Sequence, residues 1–180
     1  MVKYIYGNDI DQQAAEICEK VLGCPNITTI SGLDYDISEY DIIVANPPYV
    51  RMQNCDDETK NRLKGFSWCV GDTDLYIAFL EMIMKSGKIY GLICPNSWIK
   101  NKFCDKVRDF FLKNRNVFEL IDFRNKLVFD KVLAYCSIMV SKPTEHDSYI
   151  FKTDINSEPE VRRYDAIAMN TFYLTSEEIN

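Results

Sequence analysis

A chain of 180 residues with 47% hydrophobic residues is long enough to bury one core of ordinary size, so one domain is expected. Its net charge of −6 disfavours a protein that binds nucleic acid through an overall basic surface. The sequence shows neither an apolar run of membrane-spanning length nor a signal-peptide pattern, so we expect a soluble, cytoplasmic protein.

The seven cysteines do not form a metal-binding pattern. None stands in a C-x-x-C pair, and His146 is the single histidine that could join them as a ligand. We therefore predict reduced, mostly buried thiols and no bound metal.

The charges are unevenly distributed along the chain. Residues 98–131 hold nine Lys and Arg against five Asp and Glu, whereas from Thr144 onward eight acids face three bases. The basic stretch is either a surface that meets a polyanion or an ordinary solvated helix face.

Seven short apolar runs bounded by turn residues predict strands. In chain order they cover residues 3–6, 27–30, 41–45, 89–94, 117–123, 133–140 and 149–152. The run 41–45 is unbroken, which is typical of a parallel strand that is buried on both faces. Beyond the last strand the chain is predicted to be irregular.

Apolar residues at helical spacing predict three helices, at residues 10–21, 75–84 and 99–111. The expected caps and stops are Gly23 for the first helix, Thr73 or Asp74 with Gly87 for the second, and Asn96 or Ser97 for the third. Residues 50–74 show little periodicity, and so long a loop is usually functional or disordered.

Strands that alternate with helices indicate an α/β fold, with a mostly parallel sheet and helices on both of its faces. Ligands of such sheets bind beyond the carboxyl ends of the strands. Asp9, Asp34 and Asn46 each lie after a predicted strand, so we expect the site there.

The stretch "DIIVANPPYV" ends a predicted strand with a group of unusual residues. Pro47 and Pro48 fix the backbone and donate no N–H, so their carbonyls and the Asn46 amide can accept hydrogen bonds from an amine. Tyr49 adds an aromatic face. This set is suited to holding and activating a planar NH₂ group for alkylation. A turn that merely ends the strand would explain the two prolines but not the Asn and Tyr beside them.

"NPPY", residues 46–49, resembles the catalytic motif of gamma-type, S-adenosylmethionine-dependent adenine-N6 DNA methyltransferases, and "PNSWIK" resembles a segment of the large type IIG restriction-modification enzymes. The resemblance implies a Rossmann-like methyltransferase domain with an antiparallel final hairpin. It also implies a flipped adenine stacked between Tyr49 and Phe129, with N6 held by Asn46 and the Pro47 carbonyl.

The same resemblance implies the cofactor residues. "YIYGNDIDQQAAE" assigns Asp9 to the ribose hydroxyls of S-adenosylmethionine and Ile10 to a position near its adenine. "SGLDYDI" assigns Asp34 to the adenine amine and Tyr35 to the side of the ring, with Asp36 as the alternative acid.

Basic residues near these motifs are candidates for contacts with DNA phosphates. They are Arg51, for which a loop salt bridge is an equal alternative, and Lys100 and Lys102 at the start of the basic stretch. Trp68 and Trp98 are predicted to be core residues rather than base-stacking residues.

The Gly-rich F-x-G-x-G loop and its central strand, which the family places before the ribose-binding acid, have no counterpart in these residues. The chain therefore resembles a fragment of a larger enzyme. Residues 1–143 correspond to a partial catalytic domain, and residues 144–180 to an acidic extension toward a missing domain. A protein-glutamine or RNA N-methyltransferase and a non-catalytic remnant that binds a partner are the alternatives.

Overall fold

The computed structural model describes residues 5–23, 26–129 and 134–166. The chain divides into two compact units, Met1–Glu39 and Tyr40–Asn180.

The first unit contains two short parallel strands and one helix, β1 (Gly7–Asn8), α1 (Gln12–Leu22) and β2 (Ile27–Thr28). Asp11 caps α1 by accepting from the backbone N–H groups of Gln13 and Ala14, and Gly23 ends it with φ 60°, which confirms the predicted stop.

The predicted strand at residues 3–6 is wrong in its placement, since the strand pairing involves Gly7 and Asn8 and residues 3 and 4 lie outside the described part of the chain. The missing side chain of Gly7 lets the two strands approach, because a Cβ there would meet Ile27 Cδ1 at 2.7 Å.

The second unit is built on a six-stranded sheet in the order β3-β4-β6-β5-β7-β8. Its strands are β3 (Ile42–Ala45), β4 (Ile89–Pro95), β5 (Val117–Leu127), β6 (Tyr135–Ser141), β7 (Ser148–Lys152) and β8 (Glu160–Arg163). Its helices are α2 (Asp57–Leu63), α3 (Tyr76–Lys85) and α4 (Asp105–Asn114).

The prediction of a mostly parallel sheet is wrong. β3 with β4 and β5 with β7 are parallel neighbours, whereas β4 with β6, β6 with β5 and β7 with β8 are antiparallel. β6 follows β5 in the chain and lies between β4 and β5 in the sheet, where it runs antiparallel to both of them. The antiparallel pairing of β5 and β6 was expected, but β8 was not.

β3 is parallel, as predicted, but it is not buried. It lies at one end of the strand order, and Ile42 and Val44 are 62% and 83% exposed. An unbroken apolar run is compatible with burial, but it cannot reveal whether a strand has neighbours on both sides.

The core of the second unit lies where α3 and α4 pack with β4, β5 and β6. Seven of the ten residues of α3 are buried, among them Ile77, Leu80 and Met84. Trp68 and Trp98 are buried as predicted, and the indole N–H of Trp98 donates to Ser137 Oγ at 3.0 Å.

Several predicted helix caps are wrong. α3 begins after Leu75 with no side-chain cap, and the Thr73 hydroxyl is buried without a hydrogen-bond partner. Asn96 and Ser97 begin a 3₁₀ turn, Asn96–Ile99, instead of α4. A second 3₁₀ turn leads into α4, so the apolar stripe predicted as one helix is divided. The turn at Gly87, φ 73°, follows α3 as expected.

Residues 50–74, which were expected to form a long loop, contain regular structure. A 3₁₀ turn, Met52–Asn54, precedes α2, which is capped by Asp56 through a 2.6 Å bond from the Thr59 N–H. The charged composition of α2 concealed its helical period, because only Leu63 is buried.

The six cysteines within the described ranges are unpaired, and three of them, Cys94, Cys104 and Cys136, are buried. Burial raises the pKa of the Cys94 thiol to about 12. The described residues include no cluster suited to a metal ion and no helix long and apolar enough to cross a membrane.

Glu81 is a buried carboxylate of α3 that holds the loop before the helix. It accepts hydrogen bonds from the Ser67 and Trp68 N–H groups at 3.1 and 2.7 Å and from Lys85 Nζ at 2.6 Å. Burial raises the pKa of Glu81, but the hydrogen bonds from Lys85, Ser67 and Trp68 outweigh burial, and the pKa is lowered overall.

We expect Glu81→Ala to lower the free energy of unfolding by about 2–3 kcal/mol at pH 7, because the buried Trp68 N–H and the part-buried Ser67 N–H lose their acceptor. Since the folded-state pKa is lowered, this contribution should be present at neutral pH and fade as the pH falls below the ordinary glutamate range. Urea unfolding at pH 7 and pH 3.5 measures both effects. The control is Glu58→Ala, which removes an exposed ion pair with Arg62 and should cost less than about 0.5 kcal/mol.

Candidate active site

Asn46 follows the carboxyl end of β3. The parallel register places Ala45 opposite Leu92 of β4, so the chain leaves the sheet at the edge where β4 also ends. The Asn46 side chain is exposed, and no residue in the described ranges hydrogen-bonds to it. Its amide is available to an incoming donor.

Pro47 and Pro48 form the rigid part of this turn. Pro47 is buried whereas Pro48 is exposed, so the pair is fixed on one side by packing. The Pro47 carbonyl accepts no backbone hydrogen bond within the described part of the chain. The Asn46 amide oxygen and the Pro47 carbonyl are therefore neighbouring acceptors without a hydrogen-bond partner among the described residues.

Tyr49 folds back against the sheet and is half-buried. Its hydroxyl lies 3.7 Å from Cys136 Sγ, and the Cys136 thiol itself donates to the Ala134 carbonyl at 3.5 Å. Because the thiol hydrogen is used, the phenol is the donor to the sulfur. Burial first, and then this hydrogen bond, raise the pKa of Tyr49 far above its ordinary value, so the ring stays neutral.

The Tyr49 ring packs on a group of buried residues that we name the hairpin cluster, which consists of Ile121, Phe123 and Cys136 from β5 and β6. Phe129 packs on the same cluster. The fold thus brings the two aromatic residues singled out in the sequence onto one support, although they are far apart along the chain.

The chain after Tyr49 is tied to the start of α3. The Val50 carbonyl accepts from the Leu75 N–H at 2.7 Å, and the Thr73 carbonyl accepts from the Met52 N–H at 3.2 Å. Between these two hydrogen bonds, the backbones of Arg51 and Asp74 pair as an isolated antiparallel β-bridge. Burial raises the pKa of the Asp74 carboxyl, and the charge of Arg51 partly opposes that rise. The Asn-Pro-Pro-Tyr turn is therefore held by β3 on one side and by these hydrogen bonds on the other.

The two lysines expected to contact phosphates are exposed, and they follow the 3₁₀ turn after β4. Lys102 Nζ lies 5.1 Å from the centre of the Phe103 ring. Further along the basic stretch, Lys106 donates to the Ser67 carbonyl and Lys113 pairs with Asp109, so part of its charge is used within the protein.

The expected cofactor residues all lie in the first unit, in the chain segments that follow its two parallel strands. Asp9 follows β1 and is exposed, and one of its carboxylate oxygens accepts from the Asp11 N–H at 2.9 Å. Ile10 is 74% exposed. Asp34 and Tyr35 follow β2, in a turn closed by the bond from the Asp34 N–H to the Ser31 carbonyl.

The sequence did not predict a polar arrangement that joins the residue after β4 to residues within β5. Asn96 Nδ2 donates to Asp122 Oδ1 at 2.7 Å and to the Arg124 carbonyl at 3.1 Å, while the Arg124 N–H donates to the same Asp122 oxygen at 2.9 Å. The "PNSWIK" motif had marked Asn96, but only as a helix cap. No local pattern marked Asp122 or Cys136, because their partners are remote in sequence.

Comparison with known proteins supplies the family. Residues 25–129 match the Eco57I restriction-modification methylase family. The chain is 32% identical over 120 residues to the type II methyltransferase M.BstVI of Geobacillus stearothermophilus, an alignment that covers 63% of this chain and 21% of that protein.

Two solved structures share the fold at low sequence identity. The type IIG restriction endonuclease BpuSI matches 98% of this chain and 26% of its own, with a TM-score of 0.70 and 16% identity. A Listeria monocytogenes protein described as a class I S-adenosylmethionine-dependent methyltransferase matches 86% of this chain and 46% of its own, with a TM-score of 0.57 and 18% identity. These likenesses show a methyltransferase-like α/β fold.

The chain spans about a fifth of the length of the curated relatives it matches. The family match covers more than half of the chain and includes β3, the Asn-Pro-Pro-Tyr turn, the hairpin cluster residues of β5 and Phe129. The resemblance to restriction-modification methyltransferases is confirmed, and the chain belongs to the Eco57I restriction-modification methylase family.

Proposed function

We propose that this chain is the catalytic part of a larger, site-specific DNA methyltransferase of a restriction-modification system, which methylates the N6 amine of a flipped adenine. The observation that carries the proposal is the exposed Asn46, followed by a rigid proline pair and by Tyr49 held on the hairpin cluster, in a chain of this family.

The chemistry follows from the acceptors of the turn. The Asn46 amide oxygen and the Pro47 carbonyl would accept the two N–H groups of an adenine N6 amine and draw electron density onto the nitrogen. Tyr49 and Phe129 would stack on the base after it leaves the helix. Direct transfer requires no covalent intermediate, so no serine or cysteine nucleophile is needed.

S-adenosylmethionine is the proposed methyl donor, and when bound it supplies an electrophilic methyl group. Asp9 fits the ribose hydroxyls, because it is exposed and only one of its oxygens has an intramolecular partner among the described residues. Ile10 is exposed beside it, and Asp34 with Tyr35 would contact the cofactor adenine.

We further propose that the rest of the enzyme supplies the Gly-rich loop and its strand, which these 180 residues lack. The free edge of β3 within the described residues, with exposed Ile42 and Val44, supports this proposal, because such an edge pairs readily with another strand. Residues 1–143 would form the partial catalytic domain, and residues 144–180 would lead toward the remaining part.

Duplex DNA is the proposed substrate, and the basic residues Arg51, Lys100 and Lys102 are proposed phosphate contacts. The test of the function is incubation of the full-length enzyme with duplex DNA and S-adenosylmethionine, followed by nucleoside mass spectrometry. We expect N6-methyladenine. Methylation of RNA or protein acceptors without methylation of DNA would overturn the assignment.

The isolated 180-residue chain should bind S-adenosylmethionine more weakly than micromolar, because its sequence contains no F-x-G-x-G loop to hold the methionine part of the cofactor. Isothermal titration calorimetry measures this directly, with the full-length enzyme as the positive control. Micromolar binding by the isolated chain, about 8 kcal/mol, would show that another segment replaces the loop.

Asn46→Ala in the full-length enzyme should reduce kcat at least tenfold, a loss of more than about 1.4 kcal/mol, and should leave cofactor affinity nearly unchanged. The amide is expected to act on the amine in the transition state rather than on the bound cofactor. Asn54→Ala is the matched control, since Asn54 is also exposed and lies in the next 3₁₀ turn. Near wild-type turnover of Asn46→Ala would remove this residue from the mechanism.

Tyr49→Ala and Phe129→Ala should each lower the extruded population of the target base, because each ring contributes about 1–3 kcal/mol of stacking. The fluorescence of 2-aminopurine at the target position reports extrusion. Tyr49→Phe loses only the hydroxyl–sulfur contact and should retain most of the signal. Thermal unfolding of each variant controls for lost packing on the hairpin cluster. Unchanged fluorescence in both alanine variants, with DNA still bound, argues against the stacking roles.

A further inference from the structure

Arg124 has a backbone conformation that its place in the fold does not explain. Its φ is 53°, in the left-handed region that non-glycine residues rarely adopt. Arg115 has a similar φ of 52°, but it ends α4, where such a residue is ordinary. Arg124 lies inside β5 instead, where the pairing with β6 is interrupted between Asp122 and Leu127.

Three hydrogen bonds hold this conformation. The Arg124 N–H and carbonyl are bound to Asp122 and Asn96 respectively, and Asn96 is also bound to Asp122. Asp122 is buried, whereas the bond from Asn96 to the Arg124 carbonyl is exposed, so this closed set of bonds runs from the sheet to the surface. A strained residue that its surroundings hold in place so completely is typical of a functional position.

The strain determines where the Arg124 side chain lies. Phe123 is buried in the hairpin cluster that supports Tyr49 and Phe129, and the next residue, Arg124, is exposed. Its guanidinium has no hydrogen bond or ion pair with another described residue, whereas nearby Lys126 pairs with Asp154. The fold therefore presents an unpaired cation one residue away from the support of the proposed base-stacking rings.

We propose that Arg124 binds a phosphate of the DNA backbone next to the extruded nucleotide. This inference rests on the proposed function. A planar guanidinium matches the oxygens of a phosphate and binds them with two parallel hydrogen bonds. A nucleotide that leaves the helix stays joined to its own phosphates, so a fixed cation beside the stacking rings holds the backbone while the base is stacked. Asn96 and Asp122 act as positioning residues.

The test measures how the affinity of the full-length enzyme falls with KCl concentration, using fluorescence anisotropy and two duplexes that both contain the recognition site of the enzyme but differ in their flanking sequence. Loss of one phosphate contact lowers the slope of log K against log salt by about 1 and does so equally on both duplexes. We expect this result for Arg124→Gln, and we expect Arg124→Lys to retain the wild-type slope. The control is Arg163→Gln. Arg163 is also exposed, but the strand register places it opposite Ser148, at the amino end of β7. Because β7 runs parallel to β5, this end lies at the opposite edge of the sheet from the candidate site.

Arg124→Gly separates the phosphate contact from the fold, since glycine adopts positive φ without strain. It should unfold at a higher urea concentration than the wild type and yet show the same reduced salt slope as Arg124→Gln. An Arg124→Gln slope equal to that of the wild type, or a loss confined to one duplex, overturns the phosphate contact alone. Failure of the wild-type enzyme to bind either duplex overturns the proposed function and this inference together.

Discussion

The insertion of β6 between β4 and β5 is the constraint on which the candidate site depends. Because β6 pairs antiparallel with both neighbours, β4 and β5 run in the same direction, and both of them end at the edge where β3 also ends. The start of β6 lies at that edge as well, so Cys136 comes beneath Tyr49. An added strand at the end of the sheet would not have brought these four chain segments together.

The site combines rigidity from two different sources. Two prolines and the half-buried ring of Tyr49 restrict the Asn-Pro-Pro-Tyr turn, and the bonds between residues 50–52 and 73–75 hold the chain that follows it. Within β5 the backbone is held instead by the buried carboxylate of Asp122 and the amide of Asn96. Both devices leave a polar group exposed, the Asn46 amide in one case and the Arg124 guanidinium in the other. A catalytic constellation requires such fixed groups, because misplacement by even an ångström lowers the rate.

The exposed apolar residues need a different explanation from the polar ones. Ile42 and Val44 on β3, and Ile10, Ile17 and Val21 in the first unit, are more than half exposed. Scattered apolar residues on a surface are ordinary, but an apolar edge strand is an aggregation hazard that proteins usually cover. The proposed pairing of β3 with a further strand of the enzyme would cover this edge.

The sequence by itself determined the elements whose signals are local. Helical spacing located α1 and α3, apolar runs located most strands, and four consecutive residues marked the Asn-Pro-Pro-Tyr turn as the candidate site. Tertiary structure decided the order and direction of the strands, the exposure of β3 and the arrangement around Asp122. Tyr49 and Cys136 are 87 positions apart, and Asn96 and Asp122 are 26 apart. No periodicity encodes such contacts, because they arise only when strand pairing closes the long loops between the partners.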